Sequence, residues 1–250
     1  MKLSAIVICK NEEKSIARCL DSLNWVDEVV VADSHSSDKT PEIVKSYPNT
    51  KLVDTDWLGF SQTKTLAISH ATHDWILWLD ADEEVTAELK LEIESKLKNE
   101  PKAVAYKIHR RNWYMGQEVK YSGWQNDWVS RLFRKDKCKF DNKEVHESLI
   151  INGDEKKLKS RLNHYTYTNL EDYLEKYNKY NLLSARDKFS KTGKVNFYHL
   201  LLKPWLRFFR HYILQRGFLD GKLGIVLCTM SGVSVFFRYV KIWRMQNGEK

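Results

Sequence analysis

Four short apolar runs divide the first third of the chain, and each stops on a polar or acidic loop. Leu3-Ser4-Ala5-Ile6-Val7-Ile8-Cys9 runs into Lys10-Asn11-Glu12-Glu13, and Glu28-Val29-Val30-Val31-Ala32 breaks at Asp33-Ser34-His35-Ser36-Ser37-Asp38. Lys51-Leu52-Val53 is a weaker third run, and Asp74-Trp75-Ile76-Leu77-Trp78-Leu79 ends directly on Asp80. Between and after them, Ile16, Leu20 and Leu23, then Val85, Leu89, Ile93 and Leu97, recur at helical spacing. Strands alternating with amphipathic helices predict an α/β fold with a mostly parallel central sheet and helices on its faces. Ligands of such sheets collect outside the carboxyl ends of the strands, which is where these loops fall.

The chain has 250 residues, 42% of them apolar, which supports a real core and excludes a disordered polymer. Cys9, Cys19, Cys138 and Cys228 form no C-x-x-C pair, so neither a zinc site nor a disulfide framework is expected, and a reducing cytoplasm fits. The first apolar run is short and meets charge at once, unlike the hydrophobic region of a secretory signal.

Residues 101–162 turn to short strands, 104–109 and 129–134, set among polar, aromatic loops. They set a second half, 101–168, beside the first, 1–100, within one domain, and its polar, aromatic loops look suited to face a second ligand. A helical region, 169–250, follows. Its first helix is expected over about 169–190, capped by Asn169 with Glu171 and Asp172 in the first turn, burying Tyr173, Leu174, Tyr177 and Tyr180 as one stripe.

Charge is concentrated at the same end. From residue 196 on there are nine Lys and Arg against two Asp and Glu, seven of the chain's eight net positive charges. The near-neutral remainder argues against a nucleic-acid track, and an anionic membrane surface is the expected partner of the tail. The longest charge-free run, 223–237, has fifteen residues, short of the roughly 20 that cross a bilayer, so it is not expected to span alone. Pro204-Trp205-Leu206-Arg207-Phe208-Phe209-Arg210-His211-Tyr212 has the aromatic and basic mixture that lies in a headgroup plane. The alternative is an amphipathic helix packed on the catalytic domain.

Asp80 and Asp82, two apart in an extended chain, are expected on one side with Cα atoms about 6.6 Å apart, able to address one ligand. Mg²⁺ and Mn²⁺ take carboxylate and diphosphate oxygens together. Asp33 holds the equivalent position after the second strand, where its carboxylate meets a base or ribose, or else caps the turn. Lys10-Asn11-Glu12-Glu13 is a third edge of the crevice or an ordinary helix-capping segment. Arg131 and Arg134 are expected to share a strand face, one reaching phosphate or both solvated. His146 and His164 are candidates for the metal or the diphosphate, or structural histidines.

The segments 5–12, 33–40 and 79–83 resemble the opening motifs of family 2 inverting glycosyltransferases. Trp57-Leu58-Gly59-Phe60-Ser61-Gln62-Thr63-Lys64, Trp128-Val129-Ser130-Arg131-Leu132-Phe133-Arg134, Val145-His146-Glu147, His164-Tyr165-Thr166-Tyr167 and Gly217-Phe218-Leu219-Asp220-Gly221 resemble the bacterial branch that glucosylates heptose in the lipopolysaccharide inner core. The resemblance implies a GT-A fold, a UDP-sugar donor, a divalent cation and a lipid-linked saccharide acceptor at the inner face of the cytoplasmic membrane. It places Asn11, Glu12, Asp33, Gln62 and Lys64 around the nucleotide and the Asp80-Ala81-Asp82 segment at the diphosphate and metal; from their residue types, Arg131 is a further candidate for the phosphate and His164 for the metal. The chain departs from the pattern at His35 and Lys39, where Gly is more usual, and at Thr65, where Asn is. An inverting displacement needs one more carboxylate as base, and Glu147 and Asp127 are the two candidates. Two other classes compete. A sugar-phosphate nucleotidyltransferase wants a Gly-rich phosphate loop after the first strand, and residues 10–13 contain no Gly. A basic membrane- or nucleic-acid-binding module would use the tail alone.

Overall fold

The strand β1 (Leu3–Cys9) is buried at every position, because both of its faces are covered. Leu3, Ala5, Val7 and Cys9 enter one apolar cluster, while Ile6 and Ile8 enter the other. The first cluster receives Ile16, Cys19 and Leu20 of α1 (Ile16–Asp21), and the second receives side chains of a helix on the opposite face. A computed structural model describes residues 1–99, 101–141, 148–167 and 169–248.

Along the chain follow β2 (Glu28–Asp33), α2 (Thr40–Lys45), β3 (Thr50–Asp54), α3 (Phe60–Ser69), β4 (Trp75–Asp80), β5 (Glu83–Val85) and α4 (Ala87–Lys98). Then come β6 (Ala105–Tyr114), β7 (Gln117–Val119), β8 (Trp128–Arg134), β9 (Cys138–Phe140), β10 (Leu149–Ile151) and β11 (Glu155–Tyr167). The main sheet runs β3-β2-β1-β4-β8-β6-β11-β5, parallel from β3 to β4 and antiparallel where β8 joins β4 and where β5 joins β11. Ala67 and Ile68 of α3 fill the second cluster. Val85, expected in a helix, instead pairs with Leu162 in the sheet. The physical reason is the cap: Thr86 is extended, and its hydroxyl accepts the Leu89 N–H at 3.2 Å, so α4 cannot begin earlier.

The chain forms two compact units, residues 1–111 with 127–164, and residues 112–126 with 165–250. The expected boundary at 168 falls near the second crossing, but residues 112–126 go with the helices. Tyr114, Tyr167 and Tyr173 meet edge to face there, with centroids 4.8 to 5.7 Å apart.

The second unit contains α5 (Leu170–Phe189), α6 (Lys203–Phe209), which is flanked by wider helical turns at Tyr198–Leu202 and Arg210–Leu214, and α7 (Gly221–Gln246). The buried stripe of α5 differs from the expected one. Tyr173, Asn181 and Ala185 are buried and Tyr177 is partly so, whereas Leu174 and Tyr180 are exposed at 46% and 52%. Asn181 takes the inward place because its Nδ2 donates to the Ser234 carbonyl at 2.8 Å.

Helix α7 is also longer than the fifteen-residue run suggested. With its leading turn, Gly217–Gln246, it is long and apolar enough to cross a membrane by length and composition. The charges that bounded the run, Lys222 and Arg238, lie within the helix and do not end it. Two glycines let the backbones of this unit close up. A Cβ on Gly224 would stand 1.8 Å from the Gly217 carbonyl oxygen, and one on Gly232 would stand 2.9 Å from that of Pro204 in α6.

Candidate active site

The sheet register aligns the carboxyl ends of the four parallel strands, pairing Cys9 with Asp33, Asp33 with Asp54, and Ile8 with Asp80. The chain steps from β1 outward to β2 and β3, then returns to the other side of β1 for β4. That reversal opens a crevice between the loops after β1 and β4.

The loops after β1 and β2 are zipped together. The Asn11 N–H donates to Ser36 Oγ at 2.7 Å, and its Oδ1 accepts the Ser37 N–H at 2.8 Å. The Glu12 N–H donates to Thr40 Oγ1 at 2.8 Å, while its carbonyl accepts from Ile16 at 2.9 Å and its carboxylate from Ser15, so Glu12 anchors the turn that leads into α1. Asp33 is buried, and its carboxylate accepts the Ser36 N–H at 2.9 Å along with the Ser36 hydroxyl, which fixes the turn. Asp33 thus holds its own turn, one of the alternatives expected for it. His35 has a left-handed φ of 54°, which explains why Gly is usual at this position. Its ring nitrogens sit 2.9 Å from Asp54 and 3.0 Å from Asp56, and the Asp56 hydrogen bond, then the Asp54 charge, raise its pKa.

The second part of the site is a network of buried charge at the end of β4. Arg131, on β8, is 1% exposed and binds Asp80 Oδ2 and, at 2.6 Å, Glu83 Oε1. Glu83 is wholly buried, with its Oε2 accepting the Asp80 N–H at 3.1 Å and its Oε1 also 3.3 Å from Arg110 Nη1. Burial opposes charge on Asp80, but Arg131, Lys64, His164 and Arg110 outweigh it and leave a pKa of about 2. Glu83 goes the other way: burial raises its pKa against the pull of Arg131, and the Asp80 charge raises it further. The Arg131 guanidinium and the Lys64 ammonium each lie 3.7 Å from the Trp78 ring centroid. Among the described residues, Arg131 Nε and Nη1 and Trp78 Nε1 are buried donors that meet no hydrogen-bond acceptor, which points to an acceptor supplied by a ligand.

The strand ends at Asp80, and residues 81–82 form a turn with Ala81 buried, so the alternation expected to set both carboxylates on one side does not apply. Asp80 turns to Arg131, whereas Asp82 Oδ1 lies 3.6 Å from His164 Nε2. Burial, then Arg110 and Arg131, push the His164 pKa down to about 3 in spite of Asp80, so its ring is neutral at pH 7 and keeps a lone pair. Among the described residues no three His, Cys, Asp or Glu side chains form a metal-binding group. The donor set fits a cation shared with a ligand: one carboxylate and one neutral imidazole, the remaining positions left to phosphate oxygens and water.

Asp127 is gripped by Arg110, with Nε to Oδ2 and Nη2 to Oδ1 both at 2.9 Å, a bidentate pair in place of a free base. Glu147 and His146 lie outside the described residues. Gln62 is exposed on α3, two residues before the buried Lys64. Arg131 and Arg134 do not share a face: an offset of three puts them on opposite sides of a strand, and Arg134 pairs with Asp136 at the surface. Sequence reasoning missed Glu83 and Arg110. The signal for Arg110 was its place two residues after Ile108, on the inward side of an alternating strand.

A family model described as glycosyl transferase family 2 matches residues 4–152. The uncharacterized glycosyltransferase RT0209 of Rickettsia typhi is 31% identical over 96% of this chain and 86% of its own length. The lipopolysaccharide core biosynthesis glycosyltransferase LpsC of Rhizobium meliloti is 26% identical, covering 96% and 93%. Among solved structures, the mannosyltransferase PcManGT of Pyrobaculum calidifontis, in complex with GDP-Man and Mn²⁺, aligns with 98% of this chain and 84% of its own at TM-score 0.53 and 18% identity. S. aureus TarS 1-349 in complex with UDP-GlcNAc aligns with 100% and 93% at TM-score 0.51 and 17% identity. At such identities the likeness speaks for the fold alone, which is the GT-A fold.

Proposed function

The chain belongs to glycosyl transferase family 2, and from that premise we propose that it transfers a hexose, glucose first among candidates, from a UDP-sugar to a lipid-linked saccharide such as the heptose of the lipopolysaccharide inner core, with inversion. The observation that carries the donor half is Arg131: a buried, permanently charged guanidinium beside Asp80 whose Nε and Nη1 meet no acceptor among the described residues. An anionic diphosphate supplies the acceptors these groups lack. The length-spanning similarity to LpsC supports the acceptor class.

Asp82 and His164 would hold a divalent cation, Mg²⁺ or Mn²⁺, against the diphosphate. When bound, it neutralises charge on the departing UDP. Arg131 and Lys64 steady the same charge, and Asn11, Glu12, Asp33 and Gln62 shape the nucleoside side of the crevice. The acceptor hydroxyl gives its proton to a carboxylate as its oxygen bonds to the anomeric carbon, and the bond to the diphosphate breaks with the electron pair leaving on UDP. Glu147 is the preferred base, since both oxygens of Asp127 are engaged by Arg110. Reaction takes place at the inner face of the cytoplasmic membrane, with the aromatic, basic helices of the second unit peripheral on its anionic surface.

Calorimetric titration of UDP-glucose with and without Mn²⁺, in the native protein and in Asp82→Ala, tests the donor half. Metal-dependent binding that the variant loses supports it; binding indifferent to both rejects the metal assignment. Transfer that persists undiminished in EDTA would reject it too.

A further inference from the structure

The second unit carries an open pocket of about 300 Å³ between α6 and α7, into which Lys203, Arg207 and Arg210 converge from one helix and Arg238 from the other. Lys203 and Arg207 of α6 and Arg210 at the start of the wider turn after it are spaced four and then three apart, one stripe of a continuous helical stretch. Lys188 of α5 feels the charges of Arg238, Lys203 and Arg207. Among the described residues no carboxylate pairs with any of these five. Their polar partners are neutral: Lys203 Nζ donates to Tyr239 Oη at 2.8 Å, and Arg207 Nε to Ser231 Oγ at 3.0 Å. Arg238 Nε is buried and meets no acceptor among the described residues. Partial desolvation, then Arg210 and Arg238, lower the Arg207 pKa, as expected when like charges meet without a counter-ion.

Apolar groups complete the setting. Leu206 and Val235 line the pocket, and Leu202, Trp205 and Phe209 on the same helical stretch are about half exposed, at 50%, 59% and 50%. A free anion has no use for such a rim, whereas a phosphate carried on acyl chains buries it.

We propose that this pocket binds the phosphate of an anionic phospholipid headgroup and so seats α6 in the headgroup layer. The inference rests on the membrane reading above and gives it a specific site. The test is co-sedimentation of the full chain with vesicles of phosphatidylglycerol in phosphatidylcholine, and of phosphatidylcholine alone. Preference for the anionic vesicles is expected, with affinity about thirty-fold lower in Arg207→Gln/Arg238→Gln, which is ~2 kcal/mol for two cations. Trp205→Ser/Phe209→Ser is expected to weaken binding to both vesicle types. Native binding that is equal on both, and unchanged in R207Q/R238Q, overturns the pocket and leaves the membrane reading standing. Binding to neither overturns both.

Thermal melting gives an independent readout. R207Q/R238Q is expected to melt no lower than the native chain, because it loses mutual repulsion, and a soluble short-chain phosphatidylglycerol is expected to raise the native midpoint only. A midpoint well below native would make these cations structural and overturn the proposal. If inorganic phosphate raises the native midpoint as much as the lipid does, the pocket is a free-anion site and the lipid assignment falls.

Discussion

The two units treat clustered charge in opposite ways. At the end of β4, Arg131 and Arg110 are interlocked with Asp80, Glu83 and Asp127, so each carboxylate has a guanidinium and the spare capacity is a few directed N–H groups. Around α6 and α7, four cations line one pocket, and among the described residues no carboxylate pairs with them; Lys203 and Arg207 meet hydroxyls instead. A compensated network holds its shape before any ligand arrives, which an active site needs. An uncompensated cluster gains its counter-charge from outside, which a docking surface needs. Cohesion differs as well: the first unit closes through a sheet buried on both faces, the second through glycines that let helix backbones touch.

The sharpest break in this comparison is Arg131→Met. It strands Glu83 and Asp80 without their main counter-charge, and a loss of roughly 3–5 kcal/mol in urea unfolding is expected; an unchanged midpoint would mean the network is not cohesive. Next, Asp82→Asn is expected to leave unfolding within about 0.5 kcal/mol of native and lower the turnover of sugar transfer by about 10²–10³-fold, which separates ligand-facing from structural carboxylates. Gly224→Ala, placed against the Gly217 carbonyl, is expected to cost about 1–3 kcal/mol in the second unit, seen as a lower thermal midpoint; no loss would show that glycine contact is not what closes the unit. The smallest effect concerns His35. Its pKa is raised in the folded state, so the stability it adds is full below the unfolded value near 6.5 and is lost as pH rises through the folded value. Nuclear magnetic resonance titration should show that raised pKa, and Asp56→Asn should lower it.

Legibility in the sequence followed the range of the forces. Residues 3–9 and 28–32 appear as the strands expected because a doubly buried strand must be apolar throughout, and β4 ends on Asp80 as the pattern said. The stripe of α5 was misplaced, since which of two neighbouring polar or aromatic positions turns inward depends on Ser234, far along the chain. Val85 went to a strand because its partner Leu162 arrives from β11. The grip of Arg110 on Asp127 was invisible for the same reason: it ties β6 to the loop residue just before β8, and no local periodicity records it.

The sequence by itself determined the class of sheet, the edge where ligands collect, the carboxylates placed there, and the gathering of charge and aromatics at one end. These follow from burial period and composition, which act residue by residue. Tertiary structure alone decided which guanidinium each carboxylate meets, that Asp80 and Asp82 turn to different partners, and that four cations of the tail share one pocket. Those outcomes depend on electrostatic and hydrogen-bond contacts between segments that only packing brings within a few ångströms, where low dielectric makes each pairing strong.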